Sequence, residues 1–134
     1  MTLRILHVLD HSLPLHSGYV FRTIAILREQ KALGWETFHL TTPRQGAVAA
    51  PEETVDGWHF HRTVLRRSRW QRVTGVAELR EMAATARRIG ALIDRLRPDI
   101  VHAHSPVLNA LPALWAAHRR PEPPTSPACV RYRR

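Results

Sequence analysis

Three groups of residues carry side chains suited to chemistry. His102 and His104 flank Ala103 at the end of a short apolar run, and Ser105 follows at once. Residues two apart in an extended strand share a face, so both imidazoles point one way if the strand continues. An imidazole at a strand's carboxyl end can hydrogen-bond a sugar hydroxyl or a phosphate, or carry a proton. His104 is therefore the catalytic candidate and Ser105 a binding candidate, while His102 reads as a packed strand residue. The second group is Ser17-Gly18. A glycine opening a helix lets backbone N–H groups approach a phosphate, and the helix dipole favours the anion. With no G-x-G-x-x-G and no Walker lysine, the same pair also fits an ordinary N-cap. The third is His59-x-His61. A metal site needs converging ligands and a second shell. No carboxylate or cysteine completes a familiar spacing, so neither a metal nor another cofactor is expected. His11 and His16 are polar candidates for ligand contact in the first loop.

The elements that must hold these residues follow from periodicity. Leu3–Leu9 is short and nearly all apolar, as in a buried parallel strand. Ser17 is the N-cap of a helix in which Val20, Ile24 and Leu27 recur at helical spacing, and Gly34 stops it. Glu36–Thr41 reads as a second strand, and the stretch from Thr42 to Val55 as a loop. Trp58–Thr63 is a third strand, placed at an edge. Leu79, Met82, Ala83, Ala86, Ile89, Ile93 and Leu96 mark one face of a long helix that Pro98 ends. Asp99–Ala103 is the fourth strand. Ser105-Pro106 reads as the cap and first residue of a last helix, which Pro112 is expected to kink.

Strands alternating with helices predict βαβ units, an α/β fold with a Rossmann-like parallel sheet. In the order 3-2-1-4 the first and fourth strands are neighbours at the switch point, where ligands bind beyond the carboxyl ends. The loops Asp10–Tyr19 and His104–Asn109 meet there. That convergence is the main functional inference from pattern alone.

Composition narrows the classes. At 134 residues, 44% hydrophobic and 23% charged, the chain is globular and can bury a core without staples. Cys129 is the single cysteine, which excludes an internal disulfide. No apolar run suits a bilayer span, and the chain enters strand-like sequence without a signal peptide, so a cytoplasmic protein is expected. The net charge of +9 comes almost wholly from arginine, with Lys31 the one lysine, a pattern of compositional bias. Arg62, Arg66, Arg67, Arg69 and Arg72 run beside Trp58 and Trp70. They suit either a groove for nucleic acid or anionic lipid, or a solvated face. The run lacks a dedicated motif, and nucleic acid is not expected as the partner. No Ser-His-Asp triad, carboxylate pair or P-loop stands out.

Two stretches resemble a known family. Arg4-Ile-Leu-His-Val-Leu-Asp-His-Ser-Leu-Pro-Leu-His-Ser-Gly-Tyr19, with Arg22 and Leu27-Arg-Glu-Gln30, is similar to the opening of a GT-B glycosyltransferase. Asp99-Ile-Val-His-Ala-His-Ser-Pro106 resembles its fourth-strand signature. The match is to family-4 glycosyltransferases of the PEP-CTERM/exosortase-associated type, over residues 1 to about 117. The resemblance implies a domain of a two-domain retaining enzyme that needs no metal. Such an enzyme moves a sugar from a nucleotide-sugar donor to a glycan or lipid-linked acceptor in exopolysaccharide synthesis. It assigns binding to Ser17, Gly18, Tyr19, Arg22, Ser105 and Asn109, and catalysis to His104. Peripheral contact with the inner membrane is a further expectation.

The resemblance also marks departures. Family members continue with a strand of the type Gly-Ile-Pro-Val-Val and then a donor-binding domain. Here residues 118–134 hold four prolines and no apolar period, and read as a disordered tail. Residues 1–117 are thus expected to be a partial acceptor-side domain, truncated or frameshifted near Ala117 and inactive alone. A half-enzyme completed by a partner chain and a basic nucleic-acid or membrane module are the rival expectations. An uncovered flank on the fourth strand predicts self-association.

Overall fold

The apolar run at the start becomes the centre of the molecule. In the computed structural model, which describes residues 2–66, 75–105, 107–119 and 129–131, Arg4–Leu9 forms strand β1. Helix α1 is Gly18–Ala32 and β2 is Glu36–Thr41. A 3-10 turn at Pro43–Gln45 precedes β3 (Glu52–Val55) and β4 (Trp58–Arg62). Helix α2 is Val76–Leu96, β5 is Ile100–Ala103, α3 is Ala110–His118 and β6 is Cys129–Arg131.

The six strands make one sheet in the order β3-β4-β2-β1-β5-β6. Its four central strands are parallel: β1 pairs with β2 and β5, and β2 with β4. The 3-2-1-4 order expected from the sequence is therefore the observed one. The two outer strands, β3 and β6, run antiparallel to their neighbours. The fold is α/β and Rossmann-like.

Alternation along β1 divides the core in two. Leu6 and Val8, with Leu40 and Val101, pack against Ile89, Leu92 and Ile93 of α2 and Ala113, Ala116 and Ala117 of α3. Leu9 joins Val20, Ile24, Leu27 and Phe60 beneath α1. Leu27 is wholly buried, worth about 1.5–3 kcal/mol against exposure. His7 lies on this second face, between hydrophobic residues of β1 that keep water out.

Several expectations change. The stretch from Thr42 to Val55 is not all loop: β3 forms a hairpin with β4 through Asp56 and Gly57, both at positive φ (50° and 76°). Two consecutive left-handed residues make the tight hairpin turn whose twist suits paired strands. So β4 is not the edge strand; β3 is. Helix α2 begins three residues before Leu79, with Glu78 Oε2 accepting from Gly75 N–H at 2.9 Å. Its buried face uses Ala84, Thr85 and Leu92, whereas Leu79 is 60% exposed and Ala83 is exposed too. Ser105 does not cap α3. The helix starts at Ala110, and the Ser105 carbonyl accepts from Ala110 N–H across the preceding turn. Pro112 is the third residue of α3, where the missing N–H has no intrahelical partner to lose, so it gives no cause for a kink. Of the tail at 118–134, residues 120–128 and 132–134 lie outside the described residues. His118 and Arg119 close α3, and Cys129–Arg131 pairs with Ile100–His102 of β5.

Candidate functional site

The β1–α1 loop is fixed from below before it presents anything. Ser12 N–H donates to Gln45 Oε1 at 2.7 Å, and Gln45 Nε2 returns a bond to the Ser12 carbonyl at 3.3 Å. Arg62 reaches the same loop: Nη1 donates to Ser12 Oγ at 2.6 Å and Nη2 to the Leu13 carbonyl at 2.7 Å. Thr42 Oγ1 donates to the Asp10 carbonyl at 3.1 Å. Pinned this way, the loop delivers Ser17 as the N-cap of α1, its Oγ accepting from Val20 N–H at 3.2 Å. The Ser17 hydroxyl proton is then available to His11 Nε2, 3.0 Å away. Gly18 is the first residue of α1, is exposed, and has ordinary negative φ. A Cβ built on it meets nothing within 4 Å. Neither backbone strain nor packing within this chain requires glycine there.

From the loop the site runs to the end of β5 through rings. His11 lies 4.9 Å from Tyr19, and Tyr19 lies 6.3 Å edge-on from His104. Tyr19 Oη accepts from Asp10 N–H at 3.2 Å, and burial raises its phenol above the usual 10. Arg22 is exposed, and its charge is felt at both Tyr19 and His104. Ser17, Tyr19, Arg22 and His104 are thus brought together, with Gly18 in their midst. Ser105 follows His104, half-buried, and is held through its carbonyl.

Asn109 lies deeper than the other candidates. It is fully buried, and Nδ2 donates to the Val8 carbonyl at 3.2 Å, the same carbonyl that accepts from His104 N–H at 3.0 Å. Its Nδ2 ties the loop after β5 to the end of β1, and its buried Oδ1 has no hydrogen-bond partner among the described residues.

Behind His104 lies a row of histidines that the sequence reading did not use. The register aligns His39 of β2, His7 of β1 and His102 of β5 across the sheet. His7 Nε2 is 2.9 Å from Gln30 Oε1 of α1, and His7 Nδ1 is 2.9 Å from His104 Nε2. With the Gln30 oxygen as acceptor, His7 carries its proton on Nε2 and accepts at Nδ1. His104 then carries its proton on Nε2, which leaves His104 Nδ1 as a bare acceptor. Burial, then the neighbouring rings, bring His7 down to about 3. Burial first, then His102 and Arg22, bring His104 to about 4. His102 is lowered by burial. Near neutral pH the row is uncharged, and His104 is a hydrogen-bonding group rather than a strong base. The signal in the sequence was the register of His7 with His102, which requires the strand order first.

Among the described residues, two triads have ligand atoms within 4.8 Å of one another: His7, His102 and His104, and Glu52, His59 and His61. In the first, the facing nitrogens of His7 and His104 already bond each other. The second lies on the β3–β4 hairpin. Arg62 of the arginine run is not part of an exposed basic face: it is buried, its fork on Glu53 Oε2 at 2.8 and 3.0 Å. Arg67, Arg69, Trp70 and Arg72 lie outside the described residues. Among the described residues no helix is long and apolar enough to cross a membrane.

An α/β sheet whose switch-point strands end beside a helix N-terminus and a polar cluster defines a class of ligand-binding domain. The glycosyl transferase 4-like domain family matches residues 17–130, most of the chain, and the chain belongs to that family. The match runs past Ala117 into β6. No curated protein matches the chain.

Proposed function

We propose that this domain forms one wall of a glycosyltransferase site that takes a nucleotide-sugar donor and a glycan or lipid-linked acceptor, in a retaining transfer serving exopolysaccharide synthesis. The observation that carries the reading is the meeting of the α1 N-terminus with His104 at the carboxyl ends of β1 and β5. Gly18 supports it further, because the space over its Cα is open and the chain itself has no use for a glycine there. A diphosphate at that place receives backbone N–H groups and the positive end of a 15-residue helix. His104 is proposed as the catalytic-site residue, its neutral ring accepting a hydrogen bond from a sugar hydroxyl at Nδ1. Ser17, Tyr19, Arg22 and Ser105 are proposed as substrate contacts, Arg22 through its charge. Asn109 is a positioning residue that holds the His104 loop.

The test is titration of the 134-residue chain with a panel of nucleotide sugars, followed by amide NMR. Shifts are expected at Gly18, Tyr19 and His104. Gly18→Ala is expected to leave the melting temperature unchanged while weakening binding by tenfold or more. His104→Ala should weaken binding of the nucleotide sugar more than of the nucleotide alone. Saturation without shifts at these residues overturns the reading.

A further inference from the structure

The hairpin of β3 and β4 carries a second cluster, distant in the sheet from β5. His59 and His61 lie on one face of β4, and Glu52 is the register partner of His61 on β3. Glu52 turns one oxygen to each ring: Oε1 lies 3.3 Å from His61 Nδ1, and Oε2 lies 3.7 Å from His59 Nε2. Two donors on a tetrahedral metal with bonds of about 2.0–2.1 Å stand roughly 3.3 Å apart. The Glu52–His61 separation matches that, and one ligand atom from each of the three residues lies within 4.8 Å of the others, so a small closing motion of the exposed Glu52 and His59 completes the set.

A cation from the protein itself sits among these donors. Arg95 Nη2 of α2 lies 2.7 Å from Glu52 Oε1 and 3.3 Å from His61 Nδ1. Arg88 approaches the same oxygen at 3.8 Å. The arrangement therefore already places a positive group against a carboxylate and a neutral imidazole nitrogen. The Arg95 side chain is 52% exposed on a flexible stem, so its ion pair is weakly held and can swing into solvent. The support a ligating ring needs is also present: Thr54 Oγ1 lies 3.2 Å from His59 Nδ1 and accepts that N–H when Nε2 is the ligand.

We propose that Glu52, His59 and His61 form a binding site for a borderline transition-metal dication such as Zn2+ or Ni2+, which displaces Arg95 and clips the edge strand β3 to β4. Two imidazoles and one carboxylate select such ions over Mg2+ or Ca2+. Metal bound only to the folded hairpin raises stability by mass action. The site is independent of the glycosyltransferase reading.

The test uses the full chain carrying His102→Ala, which removes the rival triad, with calorimetric titration and melting curves in ZnCl2, NiCl2 and MgCl2. One equivalent of Zn2+ or Ni2+ is expected to bind and raise the melting temperature, with no effect of Mg2+. His59→Ala, at a ring half exposed to solvent, should fold normally and weaken binding at least tenfold. Arg95→Ala should strengthen binding by removing the competing cation. Equal affinity with and without His59, weakened binding in Arg95→Ala, or a response to Mg2+ of the same size overturns the proposal.

Discussion

The histidines set the chemistry at the scale of single residues. His7 and His39 are buried, and burial holds them near 3 and 4 against an ordinary 6.5. His39 is neutral for a visible reason: Nδ1–H donates to the His59 carbonyl at 2.8 Å, and Nε2 accepts from Thr37 Oγ1 at 3.0 Å. In the unfolded chain these rings take up a proton near pH 6.5, whereas in the folded chain they resist until about 3 to 4. The unfolded state binds more protons between those limits. Stability is complete above about pH 6.5 and falls as pH drops toward 4, by about 2 kcal/mol per ring at pH 5. Two such rings remove a large share of a small domain's total of roughly 5–15 kcal/mol. The urea midpoint is expected to fall steeply between pH 7 and pH 5, and a flat profile would contradict this. The sequence showed His102, His104 and Ser17-Gly18 because spacing and capping chemistry are local. It hid His7 and Gln30, because a histidine inside an apolar run looks like packing until the register sets it opposite another.

Elements differ in how much of their placement is local. The strands of the parallel sheet and helix α1 were legible almost to the residue, since their hydrophobic patterning and the punctuation by Ser17, Gly34 and Pro98 are local signals. The hairpin was not: Glu-Glu-Thr-Val is polar and lies on an edge, so β3 carries no hydrophobic alternation. The late start of α3 was equally hidden, because Ser105-Pro106 has the residue types of a cap while the chain there turns to bury Asn109. Arg62 is the plainest case. In sequence it belongs to a basic run; in the fold its side chain is wholly buried, bonded to Glu53, Ser12, Thr41 and Leu13 and set over Phe60 at 4.7 Å. It joins the hairpin to the loop that presents Gly18. Arg62→Ala leaves the buried Ser12, Thr41 and Leu13 acceptors without their donor, while half-exposed Glu53 can turn to water, and is expected to cost about 1–3 kcal/mol. Arg62→Lys should recover only part, because an ammonium cannot reproduce the fork. Chemical denaturation measures both, and a loss below 1 kcal/mol for Arg62→Ala would show that the loop holds without it.

The whole molecule is a parallel core bounded by antiparallel strands. Four parallel strands buried on both faces cannot leave their edges bare without inviting another chain. On one side β3 ends the sheet, short and carrying Glu52 and Glu53, which suits an edge. On the other, β5 is covered by β6, in register from Ile100–Arg131 to His102–Cys129. The sequence predicted an open flank there because prolines and arginines around Cys129 conceal a strand of only three residues. The pairing makes residues 129–131 part of the sheet that positions His104, since β5 is held between β1 and β6. A chain ending at Ala128 is therefore expected to self-associate more strongly than the full chain by sedimentation. Its β5 amides should exchange faster while those of β1 and β2 stay protected. Unchanged exchange at Ile100–His102 would mean that β6 adds nothing to the edge, and that β5 is held by β1 and its helices alone.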